Sequence, residues 1–128
     1  MKSAGLVGTA AGTLTFEEFW EWIQMHYNCI LRMGSIDAVL YDDDASHWRI
    51  SEVERDQWLV QLCRGKHVSG EIVVSGSMVS YVQFFELEAG EHCYELIREG
   101  SGNRECLFHF VLTHTYDGAP QSESGWIN

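Results

Sequence analysis

Between Thr15 and Tyr27 the apolar residues Phe16, Phe19, Trp20, Ile23 and Tyr27 recur three or four positions apart, with Glu17, Glu18 and Glu21 between them. That spacing lays one apolar stripe along an amphipathic helix. Thr15 with Glu18 is a capping box, in which the hydroxyl takes an orphan amide of the first turn and the carboxylate returns to the cap amide. Leu14, ahead of the cap, and Phe19 make a hydrophobic staple. The glutamates lie near the positive end of the helix dipole. Trp22 and Met25 fall off the stripe, and they either widen the face or mark a second contact surface.

Beyond the helix the period shortens to two, the spacing of a pleated strand. Residues 28–33 and 36–41 read as strands joined through Gly34-Ser35. Residues 52–64 carry competing signals. Ser51 with Glu54 imitates a capping box and Gly65 would stop a helix, but Val53 and Gln57 break any helical stripe. The aromatic and β-branched content of 57–63 favours a strand, so a hairpin turning within 52–56 is expected. Arg64-Gly65-Lys66-His67 is a glycine turn, 71–75 a strand and Gly76-Ser77 a tight turn. A long strand follows at 78–87, with Val79, Tyr81, Gln83 and Phe85 on one face and Ser80, Val82 and Phe84 on the other. After Ala89-Gly90-Glu91 the chain returns as a strand at 92–98, with a short helix as the alternative because Cys93, Leu96 and Ile97 could share a face. A glycine-rich hairpin loop at 100–103 leads to a closing strand at 104–113. There Cys106, Phe108, Phe110 and Leu112 are expected inside, with Leu107, His109, Val111 and Thr113 outside.

This order predicts an α+β fold: one N-terminal helix packed on a curled antiparallel sheet, a meander or half-barrel, of about 6–7 strands. The chain of 128 residues is read as a single domain over 14–117, with a flexible lead-in at 1–13 and a loose tail at 118–128. One helix cannot cover so many strands. The sheet must therefore close on itself in part, or leave an apolar patch for a partner or a second copy of the chain, a homodimer.

Charge narrows the functional classes. Nineteen carboxylates stand against eight Lys and Arg, a net charge of −11. Nonspecific binding to nucleic acid or to an anionic membrane needs clustered cations, so neither is expected. A basic protein partner fits this surface better. No apolar window approaches the length of a bilayer span, and the glycine-broken N-terminus lacks the core of a signal peptide. Cys29, Cys63, Cys93 and Cys106 show neither a C-x-x-C pair nor zinc-ligand spacing, which points to free thiols in a reducing, cytoplasmic compartment.

No catalytic or cofactor motif is present. The glycines form no phosphate loop, and Gly76-Ser77-Met78 lacks the pattern of a nucleophile elbow. No cofactor and no catalytic residue is assigned. Asp42, Asp44 and His47 are the weak candidates for a metal, and acidic turns of this kind are commonly solvated loops. His109 and His114 are five apart, which on a regular strand places them on opposite faces. The expected function is that of a small acidic, non-enzymatic interaction module, an inhibitor, adaptor or chaperone-like protein, with Trp22, Met25, Trp48 and Trp58 as docking residues. The alternative is a small-molecule-binding or enzymatic cone whose apolar cavity, between helix and sheet, is lined by Trp20, Tyr81, Phe84, Glu95 and Phe108.

Overall fold

The computed structural model describes residues 12–117. Most of the lead-in and the whole C-terminal tail lie outside them. The helix is where the capping box places it. Thr15 Oγ1 accepts the Glu18 amide at 3.0 Å, Glu18 Oε1 accepts the Thr15 amide at 2.9 Å, and α1 runs Phe16–Ile23. It stops earlier than the sequence pattern suggests. Tyr27 belongs to a separate 3-10 turn, Tyr27–Cys29, and still packs against the core.

The strands are β1 Gly12–Leu14, β2 Ile30–Ser35, β3 Val39–Tyr41, β4 His47–Glu54, β5 Gln57–Arg64, β6 His67–Ser75, β7 Tyr81–Glu88, β8 Glu91–Gly100 and β9 Asn103–Leu112. The fold is α+β and antiparallel, but the single sheet of six or seven strands is replaced by two sheets among the described residues. A six-stranded sheet runs β1-β7-β8-β9-β2-β3, and a three-stranded sheet runs β4-β5-β6. The coverage problem posed by one helix is solved by this division. The small sheet buries part of the large one, and the helix fills the gap between them.

Register shows how. Across the inner face of the large sheet, Gly12, Phe84, Tyr94, Phe110, Met33 and Leu40 form one row, and Leu14, Val82, Leu96 and Phe108 form the next. The small sheet turns Trp48, Val60, Leu62, Ile72 and Val74 to the same core. The aromatic stripe of α1 wedges between them. Phe19 stacks on Tyr94 at 5.2 Å and meets Phe110 edge-on at 5.5 Å. Trp20 reaches both sheets, Phe110 at 5.9 Å and Trp58 at 5.6 Å. Fully burying side chains of this size is worth about 1.5–3 kcal/mol each, which makes the wedge the main stabilising contact of the helix. Two further contacts tie the sheets. The Trp48 indole Nε1 donates to the Ile30 carbonyl at 3.0 Å, and Gly70 lets β6 approach Leu40 so closely that a Cβ there would lie 2.5 Å from Leu40 Cδ2.

Several local expectations shift. The ambiguous stretch is the expected hairpin, turning at Arg55-Asp56 with Asp56 in the left-handed region at φ 61°. Gly34-Ser35 is not a turn but the end of β2, and the chain reverses at residues 36–38. Gly34 is needed there because the His109 ring lies over it, 2.6 Å from where a Cβ would stand. Gly12 and Thr13, assigned to the lead-in, form part of an edge strand paired with β7. Cys106 is not an inner-face residue. A bulge at Leu107 breaks the alternation, so Cys106 pairs with Ile97 while Phe108 pairs with Leu96. All four cysteines are free thiols.

Candidate functional site

The proposed docking residues separate on burial. Trp22 and Trp48 are only 4% and 3% exposed, so neither is presented to a partner. Trp22 is off the main stripe, as its spacing indicates, but a second wall covers it: Tyr94 at 5.4 Å, Tyr116 at 5.5 Å and a hydrogen bond to Asp117 Oδ1 at 2.7 Å. Met25 is 72% exposed in the turn after α1. Trp58 is half-buried.

The five residues expected to line a cavity do not meet around one. Trp20, Phe84 and Phe108 face the core. Strand alternation turns Tyr81 and Glu95 to the other side of the large sheet. There they belong to a surface chain of hydrogen bonds: Gln83 Nε2 donates to Glu95 at 2.7 Å, and Arg104 donates to Gln83 Oε1 at 2.9 Å and to the Tyr81 hydroxyl at 2.8 Å. The space between helix and sheet is filled by Phe19, Trp20, Tyr94 and Phe110.

The acidic loop is also accounted for. Asp43 accepts hydrogen bonds from the Ala45 amide at 2.9 Å and Ser46 Oγ at 2.8 Å, and Arg64 Nη2 pairs with it at 2.7 Å. These donors, Ser46 foremost, hold its carboxyl below the usual carboxylate range. Burial and its acidic neighbours push Asp42 the other way, although its backbone hydrogen bond opposes them. Among the described residues no three His, Cys, Asp or Glu side chains converge as metal ligands, and Asp42, Asp44 and His47 are not brought together. Burial, then the Glu95 charge, pushes the Cys93 thiol up to about 12, so it stays protonated and unreactive near neutral pH.

What the fold does assemble is a groove of 450 Å³ between α1 and the tip of the β4–β5 hairpin. Its floor follows from helix and strand spacing. Phe16 and Trp20, four apart on α1, stack at 5.0 Å, and Trp20 leans on Trp58 of β5. Its rim follows from the same spacings. Glu17 and Glu21 flank Trp20 on the helix, and Glu52 stands opposite Trp58 in the β4–β5 register. Asp56 closes the end. Its side chain packs so near Gly76 that a Cβ there would lie 2.3 Å from Asp56 Oδ1 and 2.5 Å from the Phe16 ring. Four carboxylates, from Glu17, Glu21, Glu52 and Asp56, thus surround an aromatic floor, with Arg55 the single cation among the lining residues. The Trp20 indole Nε1, buried in this wall, has no acceptor among the described residues.

Trp20 and Trp58, expected from the sequence at two different sites, meet in one groove. Its rim has no signature along the chain, because the glutamates of a helix and of a distant hairpin share no common spacing. A larger hollow of 570 Å³ beside β1 includes Thr15 and Glu18, whose polar atoms are already engaged with each other in the capping box, and it gathers no comparable charge. No helix among the described residues is long and apolar enough to cross a membrane. No protein-family model matches this chain, and comparison with curated proteins and with solved structures returns no match.

Proposed function

We propose that this protein is a small acidic, non-enzymatic interaction module that binds a basic protein partner through the groove between α1 and the β4–β5 hairpin. The observation that carries this reading is the convergence of four carboxylates on an aromatic floor with only one cation among them. An arginine or lysine side chain of the partner suits such a site. Its charge meets the rim, and its stem or planar guanidinium packs on Trp58. The net charge of −11 supports the same partner class, since a field of that sign speeds encounter with a cation. A reducing, cytoplasmic setting accords with the four free thiols. An enzymatic or ligand-holding cone is less favoured, because the helix–sheet interior is filled.

The test is a titration of the protein with oligo-arginine and oligo-lysine peptides, following the Trp58 side-chain N–H by NMR. We expect that resonance to move and to saturate. Combining Glu21→Gln with Glu52→Gln should weaken binding about tenfold at low salt, and by less at high salt, where screening shortens the reach of the rim charges. Shifts confined to other surfaces, or an affinity unchanged in the double variant, would remove the groove from consideration.

A further inference from the structure

The turn after α1 and the segment after β9 bring two histidines together. The His26 and His114 rings lie with centroids 5.6 Å apart and planes inclined at 58°. Both are held. His26 stacks on Trp22 at 4.3 Å, and its Nδ1 meets the Trp22 carbonyl at 2.9 Å. A carbonyl only accepts, so Nδ1 carries the proton, and in the neutral ring Nε2 keeps a lone pair with no partner among the described residues. That arrangement, a ring nitrogen donating to a backbone carbonyl while the other stays open, is how metal-ligating imidazoles are oriented. The backbone of His114 is anchored by the Tyr94 hydroxyl, which donates to its carbonyl at 2.8 Å.

We propose that His26 and His114 form a binding site for one divalent transition-metal ion of the kind that favours imidazole nitrogen, nickel or zinc. Two imidazoles bound side by side to one such ion, at metal–nitrogen distances of about 2.0–2.1 Å, place their centroids roughly 4.5–5 Å apart, which the exposed His114 ring reaches from the observed 5.6 Å by a small side-chain rotation. No third His, Cys, Asp or Glu converges with them among the described residues, so the remaining coordination positions belong to water. Asp117, three residues from His114, already accepts the Trp22 indole. A bound ion ties the segment after β9 to the C-terminal end of α1, and because it binds only the folded chain it raises thermal stability. The site is separate from the acidic groove, and its test is independent of what the groove binds.

The test is a titration of the full chain with Ni(II) near neutral pH, read by calorimetry and by the thermal midpoint. We expect saturable binding of one ion per chain and a rise in the midpoint. Both should be lost in His114→Ala and in His26→Gln and kept in His47→Ala, His109→Ala and Cys106→Ser. His114 is exposed, so its alanine variant is expected to keep the native circular dichroism spectrum, and His26→Gln keeps a donor toward the Trp22 carbonyl. Binding that survives His114→Ala in a folded chain overturns the proposal. So does loss of binding in Cys106→Ser, or the absence of saturable binding in the parent protein.

Discussion

His109 shows how a single side chain couples this fold to pH. It sits on β9 directly across from Glu95 on β8, its ring lies over Gly34 on β2, and it is half-buried. Burial lowers its affinity for a proton below the ordinary 6.5, the nearby Arg32 guanidinium lowers it further, and Glu95 opposes them only in part. The folded protein therefore favours neutral imidazole more than the unfolded chain does. Between the depressed folded value and 6.5, the unfolded chain binds more protons, so acidification through that window lowers stability. The contribution is fully present above 6.5 and lost as pH falls through the folded value. Urea unfolding at a series of pH values should show this loss in the parent protein, and a flatter profile in His109→Gln. Parallel profiles would mean that His109 does not carry the effect.

At the scale of elements, α1 has only eight residues, too few for an isolated helix to hold together in water. It depends on its cap and on the aromatic wedge. Removing the cap by Thr15→Ala leaves the Glu18 amide without its acceptor and should cost about 1 kcal/mol, read as a lower urea midpoint with an unchanged slope. A cost near zero would show that packing alone fixes the helix start. The same element shows what the sequence makes legible. The cap, the stripe and the hairpin at Arg55-Asp56 are decided by residues within a few positions of one another, and all of them can be read in advance. Period-two alternation says which face a strand residue takes but not which strand lies beside it, so the division into two sheets is invisible along the chain. One extra residue at Leu107 reverses the face of Cys106 for the same reason. Trp22 is another case: helical spacing places it off the stripe, and only the fold reveals the wall of Tyr94 and Tyr116 that buries it. The groove is legible in its pieces and not as a whole, since its acids come from elements that are remote in sequence.

At the scale of the whole molecule, the question is whether the two sheets are separate units. The small sheet has no core of its own. Val60, Leu62, Ile72 and Val74 point into the same cluster as Phe19, Tyr94, Leu96 and Phe110, and Trp20 touches both sides. The chain also enters and leaves the small sheet from the large one, β3 leading to β4 and β6 to β7. Peeling the small sheet away would expose Trp48, Trp58 and the inner face of the large sheet together, and would break the bond from the Trp48 indole to the Ile30 carbonyl. Several large side chains at about 1.5–3 kcal/mol each make that opening as costly as a substantial part of global unfolding, since a domain of this size is stable by roughly 5–15 kcal/mol. The two sheets should therefore unfold together. Native-state hydrogen exchange tests this, because the amides of Val60 and Ile72 in the small sheet and of Leu96 and Phe110 in the large one must then report one opening free energy, within about 1 kcal/mol. If the small-sheet amides exchange through a much cheaper opening while the large sheet stays protected, the shared core is not what holds the sheets together.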